Sequence, residues 1–595
     1  VTGVQTCALP IFEDFLKTSK NVELNQTAEF YIAACRFALE DYDKAREAFE
    51  EFLKKYPQSP LVADAQFRLG RCHFELAKPE KAGDAKTREA QLKKAAEYYE
   101  LVRSGGKKQE LVPEVVFQLG YLYSFLGEFD AANYEKSATA FREYADKWPD
   151  QPLAPEALYQ LAQSVNALKK YDDAIAALKR LVDKYPDDKL APWGAFGIGA
   201  AQAAAQRPDE MAAALKAFVT KYPTHEKAGE ALYSIGQSYE NRGKIPEALG
   251  AYQNLVDFAA NATEKADTLI NPATAAQMQV ANLLVRGRKF DEAVTSCLGF
   301  LKKFSDRSVP VRAIITQLSA MYRTNKMIEE GKTKFAELAA EYQQNADVRI
   351  AVTTALVDLA NAAGDTQGAY SAALKLKVDP NRDRLPALSY ISMGTTFLKT
   401  EHPADAKEAF ETMLKAYPDD ERNTPVALTG LGNALLSLNQ LPEAEVQFNK
   451  VIADHSRHPA VLGAHLGLGK ILEARGQFDP AVKEYEAARI PKSDTELEAS
   501  FRIGLVAQLK KNDCKAALPM YARLLLASGP MAEEAAFRTA QCHRTLFLNG
   551  EKTALEIARR SYQSYLGRYK KNGRFLKEAQ EELDSLPPPA PPPGG

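Results

Sequence analysis

A small residue followed twelve positions later by an alanine recurs along almost the whole chain: Ala33/Ala45, Gly70/Ala82, Gly120/Ala132, Ala162/Ala174, Gly236/Ala248, Ala281/Ala293, Gly394/Ala406, Gly432/Ala444, Gly469/Ala481 and Gly504/Ala516. Where the register is cleanest the next unit begins 37 residues on, as YADKWPDQPLAPEALYQLAQ at 144–163 gives way to LVDKYPDDKLAPWGAFGIGA at 181–200. A period of this size means stacked supersecondary units, none of which buries its apolar face alone. Such a chain offers extended surfaces, and its function is to be sought there.

Residues 155–186 show one unit. Leu158, Leu161, Ala162 and Val165 fall at i, i+3, i+4 and i+7, the apolar stripe of a helix. Lys169-Lys170-Tyr171-Asp172-Asp173 is a polar break, and Ala174, Leu178, Leu181 and Val182 form a second stripe. Pro186 ends it, because proline lacks an N–H and drives the preceding residue out of the α region. The spacing predicts a helical hairpin in which Ala162 and Ala174 let the helices approach and Leu178 fills the groove between them.

The fuller motif is a small residue, Ala at +12, an aromatic or Leu at +16 and Pro at +24, complete in Gly394/Ala406/Phe410/Pro418 and Ala162/Ala174/Leu178/Pro186. Gly236/Ala248/Tyr252, Gly432/Ala444/Phe448 and Gly469/Ala481/Tyr485 carry the first three elements, while Gly199 departs, with Met211 at +12. This pattern resembles the tetratricopeptide repeat (TPR), over most of residues 12–525. The resemblance implies an all-α fold, a right-handed α-solenoid with protein partners bound in a concave groove lined by the first helices; about fourteen hairpins, degenerate ones included, can be counted, and two superhelical blocks are expected to meet near residues 379–383.

The expected divisions are an N-terminal array at 12–304, degenerate repeats at 305–390, a second array at 391–528, capping helices at 529–586 and a Pro-rich disordered tail at 587–595. Asp379-Pro380-Asn381-Arg382-Asp383 reads as a joint, and Ser319/Gly331/Phe335 as a weak repeat. The charged stretch 80–110, ending at Gly105-Gly106-Lys107-Lys108, predicts one long second helix. Thr553–Leu586 reads as another long amphipathic helix, with Arg568, Lys570, Lys571 and Arg574 around Gly573.

Repeated turns at Lys55-Tyr56-Pro57, Lys184-Tyr185-Pro186, Lys221-Tyr222-Pro223 and Ala416-Tyr417-Pro418 look like the bacterial envelope branch of the family. That branch includes β-barrel assembly lipoproteins of the BamD type and Tol-Pal coordinating proteins of the CpoB type. This resemblance implies a periplasmic or outer-membrane-associated protein; a cytoplasmic adaptor, or the interaction arm of a longer protein, is the alternative. VTGVQTCALPI at 1–11 resembles a translated sequencing adapter, so the native chain is expected to begin upstream and a leader or lipid anchor to lie outside this sequence.

Net charge is −2, which gives no reason to expect nucleic acid, and no apolar run reaches the roughly 18 residues of a membrane span. No Walker loop or dinucleotide fingerprint occurs, no cofactor or metal is expected, and no nucleophile–base set points to an enzyme. Outside the first eleven residues, Cys35, Cys72, Cys297, Cys514 and Cys542 are read as buried small apolar residues. His455 and His458 fall in a turn and His465 on the next helix; they read as solvated loop histidines, a metal site of two histidines with Asp454 being the alternative.

The binding surface has a more specific signature. Three residues before the small residue of the first helix stands an aromatic: Phe30, Phe67, Phe117, Tyr159, Phe196, Tyr233, and later Phe501 and Phe537, with Met278, Thr429 and Leu466 between. Phe67, Phe117, Tyr159, Phe196 and Tyr233 are the candidate partner-binding residues, set against the possibility that the rings pack between units.

Overall fold

The computed structural model describes residues 2–105, 108–263, 266–493 and 495–588, with side chains from residue 8 onward. Gly106, Lys107 and the tail from residue 589 lie outside the described residues. Among the described residues every regular element is helical. The chain forms two compact units, one up to Phe300 and one from Leu301.

In the first unit the leading helix, Thr2–Thr18, has Pro10 inside it. Helical pairs then follow in order, from Val22–Ala38 with Tyr42–Lys55 to Asp267–Arg286 with Phe290–Phe304, the last of which spans the division. The second unit continues from Ser308–Thr324 with Ile328–Glu341 to Pro530–Leu548 with Ala554–Tyr569. The pairing persists through 305–390, where the signature fades.

The recurring contact is a ring of the second helix laid on the glycine of the first. A Cβ added at Gly394, Gly432, Gly236 or Gly469 would come within 2.7 Å of Phe410, Phe448, Tyr252 or Tyr485 respectively. No real Cβ tolerates such distances, so glycine is required there for close approach. These four rings are fully buried. Phe410 also covers Gly430, and Phe448 covers Gly467, both on the next first helix. One ring thus closes its own hairpin and seats the following one.

Three expected Gly/Ala pairs are displaced by insertions. Ala82 belongs to a short extra helix, Pro79–Ala82, and the ring over Gly70 is Tyr99, from the 21-residue helix Ala85–Gly105. Above Gly120 sits Phe141, while Ala132 only caps its helix; Ser137 takes the alanine's place and donates to the Gly120 carbonyl at 2.8 Å. After Gly504 a π-helical turn at Val506–Lys510 adds one residue, so Ala517 is buried where Ala516 was expected.

The Tyr-Pro turns do more than end helices. Tyr185 donates its hydroxyl to the Pro149 carbonyl at 2.5 Å, and Tyr417 donates to Leu385 O at 2.7 Å, so each ties its turn to the preceding one. At 379–383 the Arg349 guanidinium grips Asp379 at 2.8 and 2.9 Å and Asn381 at 2.9 Å. The C-terminal segment is two helices, not one: Ala554–Tyr569 and Leu576–Asp584 are separated at Asn572-Gly573. Arg568 there donates to Leu525 O and Ala527 O, and Arg574 to Pro530 O, binding the break to the preceding hairpin.

Gly432→Ala is expected to lower the unfolding free energy measured by urea titration by about 1–3 kcal/mol, because the new methyl meets a ring held on both sides. Gly250→Ala, in a helix where nothing lies within 4 Å of the added Cβ, is expected to raise it by up to ~1 kcal/mol. Equal effects of the two substitutions would remove the ring-on-glycine contact from its structural role.

Candidate partner-binding face

The candidate residues separate into two groups. Phe67 and Phe117 are buried, at 9% and 5% exposure. Phe67 packs on Tyr99 at 5.6 Å, and Phe117 on Phe141 and Tyr144 at 5.7 and 5.2 Å. Phe30, Phe501 and Phe537 are also buried against aromatics of their own hairpins.

Tyr159, Phe196 and Tyr233 are half-buried. They stand 37 residues apart on the equivalent helices Ala154–Ala167, Ala191–Ala204 and Ala228–Asn241. The inner edge of Phe196 rests on Phe218 at 5.6 Å and that of Tyr233 on Tyr252 at 5.4 Å. The hydroxyls of Tyr159 and Tyr233 bond to no described residue. Elsewhere tyrosines spend theirs on carboxylates: Tyr121 on Glu156 at 2.7 Å, Tyr252 on Glu240 at 2.9 Å, Tyr485 on Glu473 at 2.6 Å.

Two neighbours escaped sequence reasoning. Trp193 lies on the Phe196 face, three residues earlier, edge-on to His225 at 4.9 Å. Lys227 lies 5.8 Å from the Phe196 ring centre and pairs with Glu230 at 2.6 Å. The i, i+3 spacing of Trp193 and Phe196 was the available signal. Beside Tyr233 opens a cleft of about 570 Å³ lined by Glu226, Lys227, Glu230, Asp267, Asn271 and Pro272.

In the second unit the helices Ala346–Ala363 and Ala387–Lys399 meet through polar side chains. Thr354 meets Ser389 at 2.8 Å, Ser392 donates to Asp358 at 2.6 Å, and Asn361 donates to Thr396 at 2.8 Å. Burial among these helices pushes the Asp358 carboxyl up despite the Ser392 hydrogen bond. Thr429 donates to Pro425 O at 2.9 Å, and Leu466 is buried.

Among the described residues no three His, Cys, Asp or Glu side chains are grouped to hold a metal ion. His465 shares a 2.7 Å hydrogen bond with Glu484, and His458 Nδ1 accepts from the Ala460 N–H at 3.1 Å. The five cysteines are free and buried. Burial pushes the thiols of Cys72 and Cys297 up to about 12.

The tetratricopeptide repeat model matches residues 36–100, 125–189, 196–264, 391–454 and 429–495, which together make up about half of the chain. The chain belongs to the tetratricopeptide repeat family. No curated protein sequence matches it. Solved structures similar to this TPR chain include Naa15/Naa10 bound to HypK-THB, 15% identical, covering 94% of this chain and 79% of that one with TM-score 0.37. The APC/C hetero-tetramer Cut9-Hcn1 is 15% identical, covering 86% and 97% with TM-score 0.35. The human IFIT1 dimer with m7Gppp-AAAA is 10% identical, covering 70% and 94% with TM-score 0.37.

Two outcomes test this face. Phe117→Ala should cost about 3–5 kcal/mol, as for a buried aromatic, and Tyr233→Ala only about 1 kcal/mol. Similar losses would make Tyr233 a packing residue. Cys72 and Cys297 should react with maleimide at pH 8 only after denaturation, since burial shields them and a raised pKa leaves little thiolate; fast native labelling of either, located by peptide mass spectrometry, would contradict the packing around it.

Proposed function

We propose that this TPR protein is a non-catalytic protein-interaction scaffold that binds a partner peptide or helix along the first helices between Tyr159 and Tyr233. One observation carries the reading: three half-buried rings in a 37-residue register, two with hydroxyls that bond to no described residue. Large rigid aromatics give contact area at little entropic cost and dominate interface energetics. Equivalent residues on successive repeats hold such an array at fixed spacing, so partner contacts along it act together.

We place the work in the bacterial cell envelope, in its assembly or maintenance at the periplasmic or outer-membrane side. The repeated Tyr-Pro turns support this; at Tyr185 and Tyr417 the hydroxyl ties the turn to the one before it. A cytoplasmic adaptor is the second reading, favoured by five unpaired cysteines, because oxidising compartments favour pairing. Fractionation of the source cell separates the two: periplasmic release supports the envelope, retention with cytosolic markers the adaptor.

The binding test is a pull-down with wild type and with Tyr159→Ala/Tyr233→Ala, partners being identified by mass spectrometry. Partners should be lost from the double variant with helix content unchanged by circular dichroism. Equal capture by both proteins would move binding to another face.

A further inference from the structure

Charge is distributed unevenly between the two helices of these hairpins. The equivalent segments 149–167, 186–204 and 223–241, each a turn plus a first helix, hold seven acidic residues (Asp150, Glu156, Asp187, Asp188, Glu226, Glu230, Glu240) against Lys189 and Lys227, a net −5 on a chain whose total is −2. The intervening second-helix segments 168–185 and 205–222 are net basic, with eight Lys or Arg against five Asp or Glu. The segments that carry the aromatic row are therefore the acidic ones.

The cleft beside Tyr233 concentrates this charge. Glu226, Glu230 and Asp267 line it, and among the described residues its one cation, Lys227, is already paired with Glu230 at 2.6 Å. Glu226 and Asp267 form no ion pair with a described residue. Two helix N-termini also meet there, those of Ala228–Asn241 and Asp267–Arg286, each worth about +0.5 charge. Among the described residues, three carboxylates against one ammonium and two half-charges leave about one negative charge.

We propose that the occupant of this face is a cationic extended peptide segment, its apolar side chains on the Tyr159–Phe196–Tyr233 row and a lysine or arginine in the cleft beside Tyr233. This rests on the docking face proposed above and adds the chemistry of the partner. The charges are solvent-exposed, so they govern encounter and selection more than final affinity, and salt weakens them.

The test is selection from a random dodecapeptide phage library on the full chain, in parallel with Glu226→Gln/Asp267→Asn and with Tyr159→Ala/Tyr233→Ala. Wild type should enrich peptides pairing apolar residues with Lys or Arg. A synthetic copy should bind at least fivefold more weakly to the Gln/Asn variant, with that difference shrinking in 0.5 M salt. Peptides that need the tyrosines but carry no basic residue overturn this inference and leave the docking face standing. Failure to obtain any tyrosine-dependent peptide overturns both. Circular dichroism of each variant confirms that it is folded.

Discussion

Everything in this architecture depends on the ring laid across a glycine. Phe410 shows why: its own first helix passes beneath it at Gly394 and the next at Gly430. A side chain at either glycine would separate helices that a single ring holds together, so the same contact sets the hairpin crossing and the step between hairpins. Aromatics bury the largest area per residue, and a stack of such contacts adds up through nearest neighbours alone. Leucine can take the place of the ring: Leu215 sits over Gly199 and Leu178 against Gly197, while Cys297 occupies the +16 position after Ala281.

That arrangement determines which first-helix rings remain available. Phe117 is enclosed because its partner helix supplies Phe141 and Tyr144 while Tyr121 packs beside it at 5.3 Å. Phe196 and Tyr233 each meet one main ring, Phe218 and Tyr252, and keep their outer edge. The same sequence position is thus core in one repeat and surface in another, and the second helix decides which.

The fold was readable because the pattern that identifies it, small residue, alanine and ring, is the packing contact itself. It failed wherever the chain between those residues changes length. The helix Pro79–Ala82 inserts between Gly70 and its ring, and a single π turn shifts Ala517 into the place of Ala516. A fixed offset of twelve cannot register either, since both change the path and not the residue types. The face was half readable: spacing located the row, yet nothing at positions 67 or 117 announces that their neighbours enclose them. The break at Gly573 was visible as Asn572-Gly573, a turn dipeptide overridden by the amphipathic period on either side.

The sign of the face follows from how the helices end. The first helices at 154, 191 and 228 carry no basic residue in their last turn, and two of them have Glu156 or Glu230 in the first turn. The second helices that follow the first two end on Lys184 and Lys221, just before the Tyr-Pro turn. Acids at a helix start and lysines at a helix end both relieve the macrodipole, at about 0.3–1 kcal/mol each. In a hairpin they need not cancel across its width, because the lysines are placed on one helix only. The residues that stabilise helix ends therefore give the array a negative side, and that side coincides with the half-exposed rings.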